Sequence, residues 1–192
     1  LLRDAVEPTF NRVTVDECQS TSDTVAIMAS GAAGDLNARQ AASFAKALRT
    51  VCESLAYQIA RDGEGATKVL EVIVRKAKTS ADAHAAAHAV AVSPLVKTAV
   101  HGGDPNWGRI VQALGATTVT YKPEKVTVRL GNDILFAKGA PAPHLDLGKL
   151  AEAMKQPHVT LTIGLGAGKA ADRVLTCDLS REYIAINADY TT

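Results

Sequence analysis

Residues 37–61 place Phe44, Leu48, Val51, Leu55 and Ile59 at three- and four-residue intervals. That spacing lines one face of a helix of about seven turns. The stretch "DGEGATK" follows and runs into "ATKVLEVIVRKA", whose β-branched residues read as a strand although its polar positions, Lys68, Glu71 and Arg75, do not alternate strictly. A long amphipathic helix joined by a short loop to an apolar strand has to bury both apolar surfaces, and the economical way is a helix layer on a sheet. The expected class is α/β (α+β), with a mixed-sheet layered architecture.

The rest of the chain supports that class. "FNRVTVD" (10–16) alternates and predicts a strand, "STSD" (20–23) a loop, and "TVAIMASG" (24–31) a buried apolar segment stopped by Gly31. Ser80 opens an alanine-rich helix that must end before Pro94. "PLVKTAVHGG" reads as extended and "DPNWGRIVQALG" as a short helix stopped by Gly115. "KVTVRL" and "DILFA" flank Gly131-Asn132 as a hairpin, and a helix is expected over about 146–154. "HVTLTIGLGAG", "DRVLTCDLS" and "EYIAINADY" are expected as closing strands. The expected division is an N-terminal part, 1–92, and a C-terminal α+β part, 93–192.

The candidate sites can be judged by element order. "DGEGATK" looks like a phosphate loop, but such loops run from strand to helix so that a helix N-terminus meets the phosphate. Here the helix comes first, GK[ST] is missing and Glu64 would repel the anion. Gly63 and Gly65 then read as turn residues with positive φ, and Glu64 either as part of a helix cap or as a ligand for a cationic group. "GLGAGKA" (164–170) also lacks Ser or Thr after Lys169 and reads as a hairpin turn. His84 and His88 have the i, i+4 spacing of a zinc pair, but two ligands do not make a site, so they read as solvated helix histidines. In "HGGDPNWGRI", Asp104 reads as a cap with Pro105 in the first turn; Trp107 either anchors that turn on the core or walls a substrate site.

Composition narrows the function classes. Of 192 residues 47% are hydrophobic and 21% charged, which excludes a disordered chain, and 21 Lys and Arg against 20 Asp and Glu give no electrostatic reason to expect nucleic acid or an anionic membrane as partner. The three cysteines (Cys18, Cys52, Cys177) have no paired spacing, which fits a reducing compartment and no metal. No apolar run reaches the roughly 18–20 residues of a membrane span. The start at "LLRDAVEP", without methionine, reads as a terminus made by cleavage or truncation.

"STSDTV", "DGEGATK", "SPLVKTAVHGGDPNWGRI", "TCDLS" and "INADYTT" occur in this order along the whole chain. Together they resemble the β chain of the ornithine acetyltransferase family, bifunctional enzymes that also act as N-acetylglutamate synthase (glutamate N-acetyltransferase) in arginine biosynthesis. The resemblance implies an N-terminal-nucleophile-like fold and a precursor that cuts itself into α and β chains. A threonine at the new β N-terminus would take the acetyl group from N-acetylornithine and pass it to glutamate, with acetyl-CoA as an alternative donor and no cofactor. That threonine is expected upstream of Leu1; Thr9, Thr14 and Thr24 are internal and are not promoted to nucleophile, so no catalytic residue is assigned in this chain. Carried over by motif, Glu64 would hold a substrate ammonium, and Asn187 and Thr192 would complete the amino-acid site. The implied partners are the α chain and a heterotetramer of αβ units, in the cytoplasm, or in the mitochondrial matrix of a eukaryote. A related N-terminal-nucleophile amidohydrolase or aminopeptidase, or a non-catalytic amino-acid-binding subunit, remain the competing readings. Ser20, Thr21, Asp23, Asp104, Asn106 and Arg109 receive no chemical step.

Overall fold

The structure is a computed structural model, and residues 1–190 are described. One six-stranded sheet takes the order β4-β3-β2-β5-β1-β6. Its strands are β1 (Val69–Ala77), β2 (Thr127–Leu130), β3 (Asp133–Ala137), β4 (Ala140–Pro141), β5 (His158–Gly164) and β6 (Ala170–Cys177). β1 pairs parallel with β5 and antiparallel with β6, while β2, β3 and β4 pair antiparallel. The helices are α1 (Leu2–Val6), α2 (Ala38–Arg61), α3 (Ser80–Ala91), α4 (Pro94–Gly102), α5 (Trp107–Gly115), α6 (Leu147–Met154) and α7 (Arg181–Asp189). The expected α/β class with a mixed sheet is what the chain forms.

The two sheet faces differ. Leu70, Val72 and Val74 of β1, Leu161 and Ile163 of β5 and Val174 of β6 are all buried in the main core. There they meet Ala83, Ala87 and Val90 of α3 and apolar side chains of α4, α5 and α6. α3 can lie close because its sheet-facing residues are mostly alanine. The opposite face carries Glu71, Arg173 and Thr160, and on it Ala60 of α2 meets Val69 and Leu175, with Val13 and Tyr57 packed alongside. Glu71 and Arg173 pair there at 3.0 Å.

α2 starts where predicted. Asn37 Oδ1 accepts from the Gln40 amide and Gln40 Oε1 accepts from the Asn37 amide, each at 3.0 Å, a reciprocal capping box. Its orientation differs from expectation. The residues set against the chain are small, Cys52, Ala56 and Ala60, whereas Phe44, Val51, Leu55 and Ile59 are 43–54% exposed. Small residues let the helix approach the sheet, and the larger stripe then faces outward.

Five further expectations are corrected. Residues 10–16 are not a strand: Phe10–Arg12 form a 3-10 turn and only Val13 bridges to Leu175. Residues 24–31 are exposed rather than buried, Met28 at 96%. "PLVKTAVHG" is helical, because Ser93 caps it by accepting from the Val96 amide, Pro94 occupies its first turn and Gly103 ends it at φ 74°. "GLGAGKA" is not a hairpin, since β1 lies between β5 and β6. "REYIAINAD" is α7, capped by Ser180, instead of a strand. Alternation of apolar and polar residues over so short a segment does not separate strand from helix, and here a cap decides.

The close contact of α2 is testable. Ala60→Leu should overpack the α2–sheet contact and cost about 1–3 kcal/mol. Leu55→Ala, on the exposed stripe, should change the stability of the isolated chain by less than about 0.5 kcal/mol in urea denaturation.

Candidate active site

Glu64 and Asn187, 123 positions apart, meet: Asn187 Nδ2 donates to Glu64 Oε2 at 2.6 Å and to Tyr183 O at 2.9 Å. Both side chains are exposed. Thr192, the third expected ligand, lies outside the described residues. The meeting follows from the topology. β1 and β6 are antiparallel neighbours with Val69 opposite Cys177, so the loop entering β1 and the link leaving β6 share one end of the sheet.

That loop is the α2–β1 connection, 62–68. Gly65 has φ +66°, the left-handed conformation expected for it, while Gly63 does not. Gly63 is small for another reason: a Cβ there would come 2.9 Å from Cys177 Sγ. A Cβ on Gly65 would run into the Tyr183 amide nitrogen and come 2.9 Å from Ser180 Oγ. Ser180 Oγ donates to Gly65 O at 2.6 Å and accepts from the Glu182 amide at 3.1 Å, thereby capping α7 and holding the Glu64 loop together.

One further contact fixes α7. Tyr183 Oη donates to Asp16 Oδ2 at 2.8 Å. That hydrogen bond pushes the Tyr183 hydroxyl up to about 12. Burial raises the Asp16 carboxyl, but the Cys18 amide, at 2.9 Å, and Tyr183 outweigh it and leave the net shift downward. α7 itself contributes no buried residue, so these polar contacts hold it rather than an apolar face.

Beneath the loop lies Asp178, 2% exposed. Its Oδ1 accepts from the amides of Thr67 (2.7 Å) and Lys68 (2.8 Å), and its Oδ2 from Thr67 Oγ1 (2.5 Å) and His101 Nδ1 (2.7 Å). Burial alone would raise this carboxyl, but the donors from Thr67, His101 and Lys68 reverse it and hold it below its ordinary value. Lys68 Nζ donates to Val100 O (2.7 Å) and His101 O (3.1 Å), closing the C-terminal end of α4. Lys97 is 4% exposed; burial lowers its pKa, and it donates to Val15 O and to Thr176 Oγ1.

The other candidates take structural parts. The α5 cap is Asn106, which accepts from the Arg109 amide at 3.1 Å, rather than Asp104. Arg109 Nη1 donates to Leu95 O at 2.8 Å, and Trp107 stacks on Phe136 with centroids 5.1 Å apart, so "DPNWGR" braces α4, α5 and β3. Ser20, Thr21 and Asp23 are exposed outside this cluster. His84 and His88 are half-buried: His84 Nδ1 lies 3.2 Å from Asp172 without a well-directed hydrogen bond, and His88 Nε2 lies 3.9 Å from Glu17. Among the described residues no three His, Cys, Asp or Glu side chains come together as metal ligands. Sequence reasoning missed Asp16, Asp178, Ser180 and Tyr183. The signal that could have found the middle pair is an acid and a serine directly after a strand in "TCDLS", one tying a loop and one capping the next helix.

These features define an α/β protein with an exposed cluster of polar side chains where the loop before β1 meets the last described helix. The chain belongs to the ArgJ family, whose model matches residues 1–192. It is 44% identical, over 99% of its length, to the arginine biosynthesis bifunctional protein ArgJ of Bradyrhizobium diazoefficiens, and covers 48% of that protein. It is likewise 44% identical, over its full length, to the glutamate N-acetyltransferase of Methanocaldococcus jannaschii, covering 50% of it. The chain thus spans about half the length of the curated relatives it matches. The crystal structure of the ArgJ protein of Bacillus halodurans superposes with a TM-score of 0.92 at 38% identity, over 98% of this chain and 91% of that one.

Two measurements check the site's construction. Gly65→Ala should cost at least roughly 1–2 kcal/mol from the left-handed backbone alone, with the clash against Tyr183 in addition, measured by thermal unfolding. Tyr183 should ionise near pH 12 in a spectrophotometric titration. Because the folded value lies above the ordinary 10.0, the Tyr183–Asp16 contribution should be complete below pH 10.0 and disappear as pH rises through about 12, and Tyr183→Phe should abolish that dependence.

Proposed function

We propose that this chain is the β half of an autoprocessed acetyltransferase that moves the acetyl group of N-acetylornithine to glutamate through an acetyl-threonine intermediate, with acetyl-CoA as an alternative donor. The observation that carries this is the Glu64–Asn187 pair at 2.6 Å, open to solvent. A zwitterionic amino acid needs an anion for its ammonium, and an amide that both donates and accepts for its remaining polar groups. The Asn187 amide donates to Glu64 Oε2, the kind of acceptor that a substrate ammonium would use. Thr192 is proposed as a third ligand.

The nucleophile is proposed to lie outside these 192 residues. In support, Thr9 Oγ1 donates to Ala5 O at 2.6 Å inside the fold, Thr14 Oγ1 accepts from the Glu17 amide at 3.2 Å and Thr24 Oγ1 donates to Ser22 O at 3.2 Å, so each is engaged in local structure. An acetyl-threonine ester splits the transfer into two steps, and no cofactor is called for.

The proposed partner is the α chain of the same precursor, with αβ units assembling to a heterotetramer. The outward stripe of α2 and the exposed apolar residues Val25, Ile27 and Met28 support it. So does the groove of about 1560 Å³ between the 13–26 segment and α2, lined in part by Leu55 and Ile59. Large apolar side chains exposed together along one helix face mark a protein contact. The proposed compartment is the cytoplasm, consistent with three free cysteines; no helix among the described residues is long and apolar enough to cross a membrane.

The test uses the full-length, processed enzyme. Glu64→Gln removes the charge from a hydrogen bond of about 1.5–3 kcal/mol, which corresponds to a KM for N-acetylornithine raised roughly 10- to 150-fold. Unfolding temperature should be unaltered. An unchanged KM means that Glu64 merely ties its loop to α7, and the assignment of the site falls.

A further inference from the structure

We infer that Asp178 is the positioning residue of the amino-acid site, holding Glu64 and Asn187 at the separation a substrate requires; this rests on the substrate-binding reading above. The contacts form a closed ring. From Glu64 the chain passes to Gly65, whose carbonyl is held by Ser180 at 2.6 Å, and on to Thr67 and Lys68, whose amides are held by Asp178 at 2.7 and 2.8 Å. Asp178 and Ser180 sit two positions apart on the link into α7. About two turns further along that helix, Asn187 returns to Glu64 at 2.6 Å. The Asp178 amide also donates to Lys68 O at 3.1 Å, so the two segments are joined in both directions.

The fourth and last donor to the carboxylate comes from a third element. His101 Nδ1 reaches Oδ2 at 2.7 Å from the end of α4. An ionised carboxylate only accepts, so Nδ1 carries the proton, and the ring is oriented by this bond. Asp178 therefore joins the Glu64 loop, α4 and the start of α7 through one buried charge. Such a charge is tolerated only where all its lone pairs are met, and here each oxygen takes two donors. A tie that served stability alone would have little reason to converge on the loop and helix that carry the two ligands. α7 has no buried residue, so it is docked by polar contacts alone, those of Ser180, Tyr183 and Asn187 among them.

Asp178→Asn leaves one acceptor oxygen for the Thr67 and Lys68 amides and turns an NH₂ toward Thr67 Oγ1 and His101, which loosens the loop without emptying the site. In the full-length processed enzyme, we expect the KM for N-acetylornithine to rise about ten-fold while kcat changes by less than about three-fold, because a ligand carboxylate displaced by a fraction of an ångström weakens binding. On a Glu64→Gln background the same change should add almost nothing to KM, since Asp178 acts through Glu64. Should Asp178→Asn lower only the unfolding temperature, or raise KM equally in both backgrounds, the positioning role is overturned. If Glu64→Gln raises KM and Asp178→Asn does not, the inference fails while the substrate site stands; if Glu64→Gln itself leaves KM unchanged, the site reading fails first. Where Asp178→Asn does not accumulate as processed enzyme, Thr67→Val, which removes one donor to Oδ2, carries the test. A raised KM that Thr67→Ser restores supports the inference, and an unchanged KM refutes it.

Discussion

β1 lies between β5, which runs parallel to it, and β6, which runs antiparallel, with Val69 opposite both His158 and Cys177. Nearly everything else depends on that placement. A parallel neighbour requires a long crossover, and the chain between β1 and β5 supplies it as α3, α4, α5, the β2–β3–β4 hairpins and α6, most of which cover one face and fill the main core. An antiparallel neighbour brings chain ends together: the loop entering β1 and the link leaving β6 meet at one edge, and that edge is the candidate site.

The two faces of the sheet then divide the work. Alternation along β1 sends Leu70, Val72 and Val74 into the core and Glu71 to the other side, where it pairs with Arg173. The C-terminal half of α2 covers part of the second face, where Ala60 meets Val69 and Leu175. This is why α2 turns its larger apolar side chains outward, leaving Phe44, Val51, Leu55 and Ile59 as an exposed apolar stripe.

The site itself is polar throughout. α7 is anchored by hydrogen bonds from Ser180, Tyr183 and Asn187 rather than by apolar burial, and Asp178 gathers four donors under the loop. Groups held in this way keep their geometry without filling the space a ligand would need, and the two candidate ligands remain exposed.

Local chemistry was legible wherever a residue acts on its own neighbours. The α2 repeat, the Gly131-Asn132 hairpin and the left-handed Gly65 all follow from spacing and glycine, because those effects operate within a few residues. "EYIAINADY" and "PLVKTAVHG" were misread as extended because their patterns are short and the deciding caps, Ser180 and Ser93, sit outside the apolar run. The direction faced by α2 was also out of reach, since periodicity marks an apolar stripe but not what will cover it. The sequence by itself determined the α/β class, the main elements and, by motif, the family and the candidates Glu64 and Asn187. Only the tertiary structure decided that these two touch, and that Asp178 and Ser180 hold them, because contacts more than a hundred residues apart in the chain are created by the pairing of β1 with β6 and by nothing local.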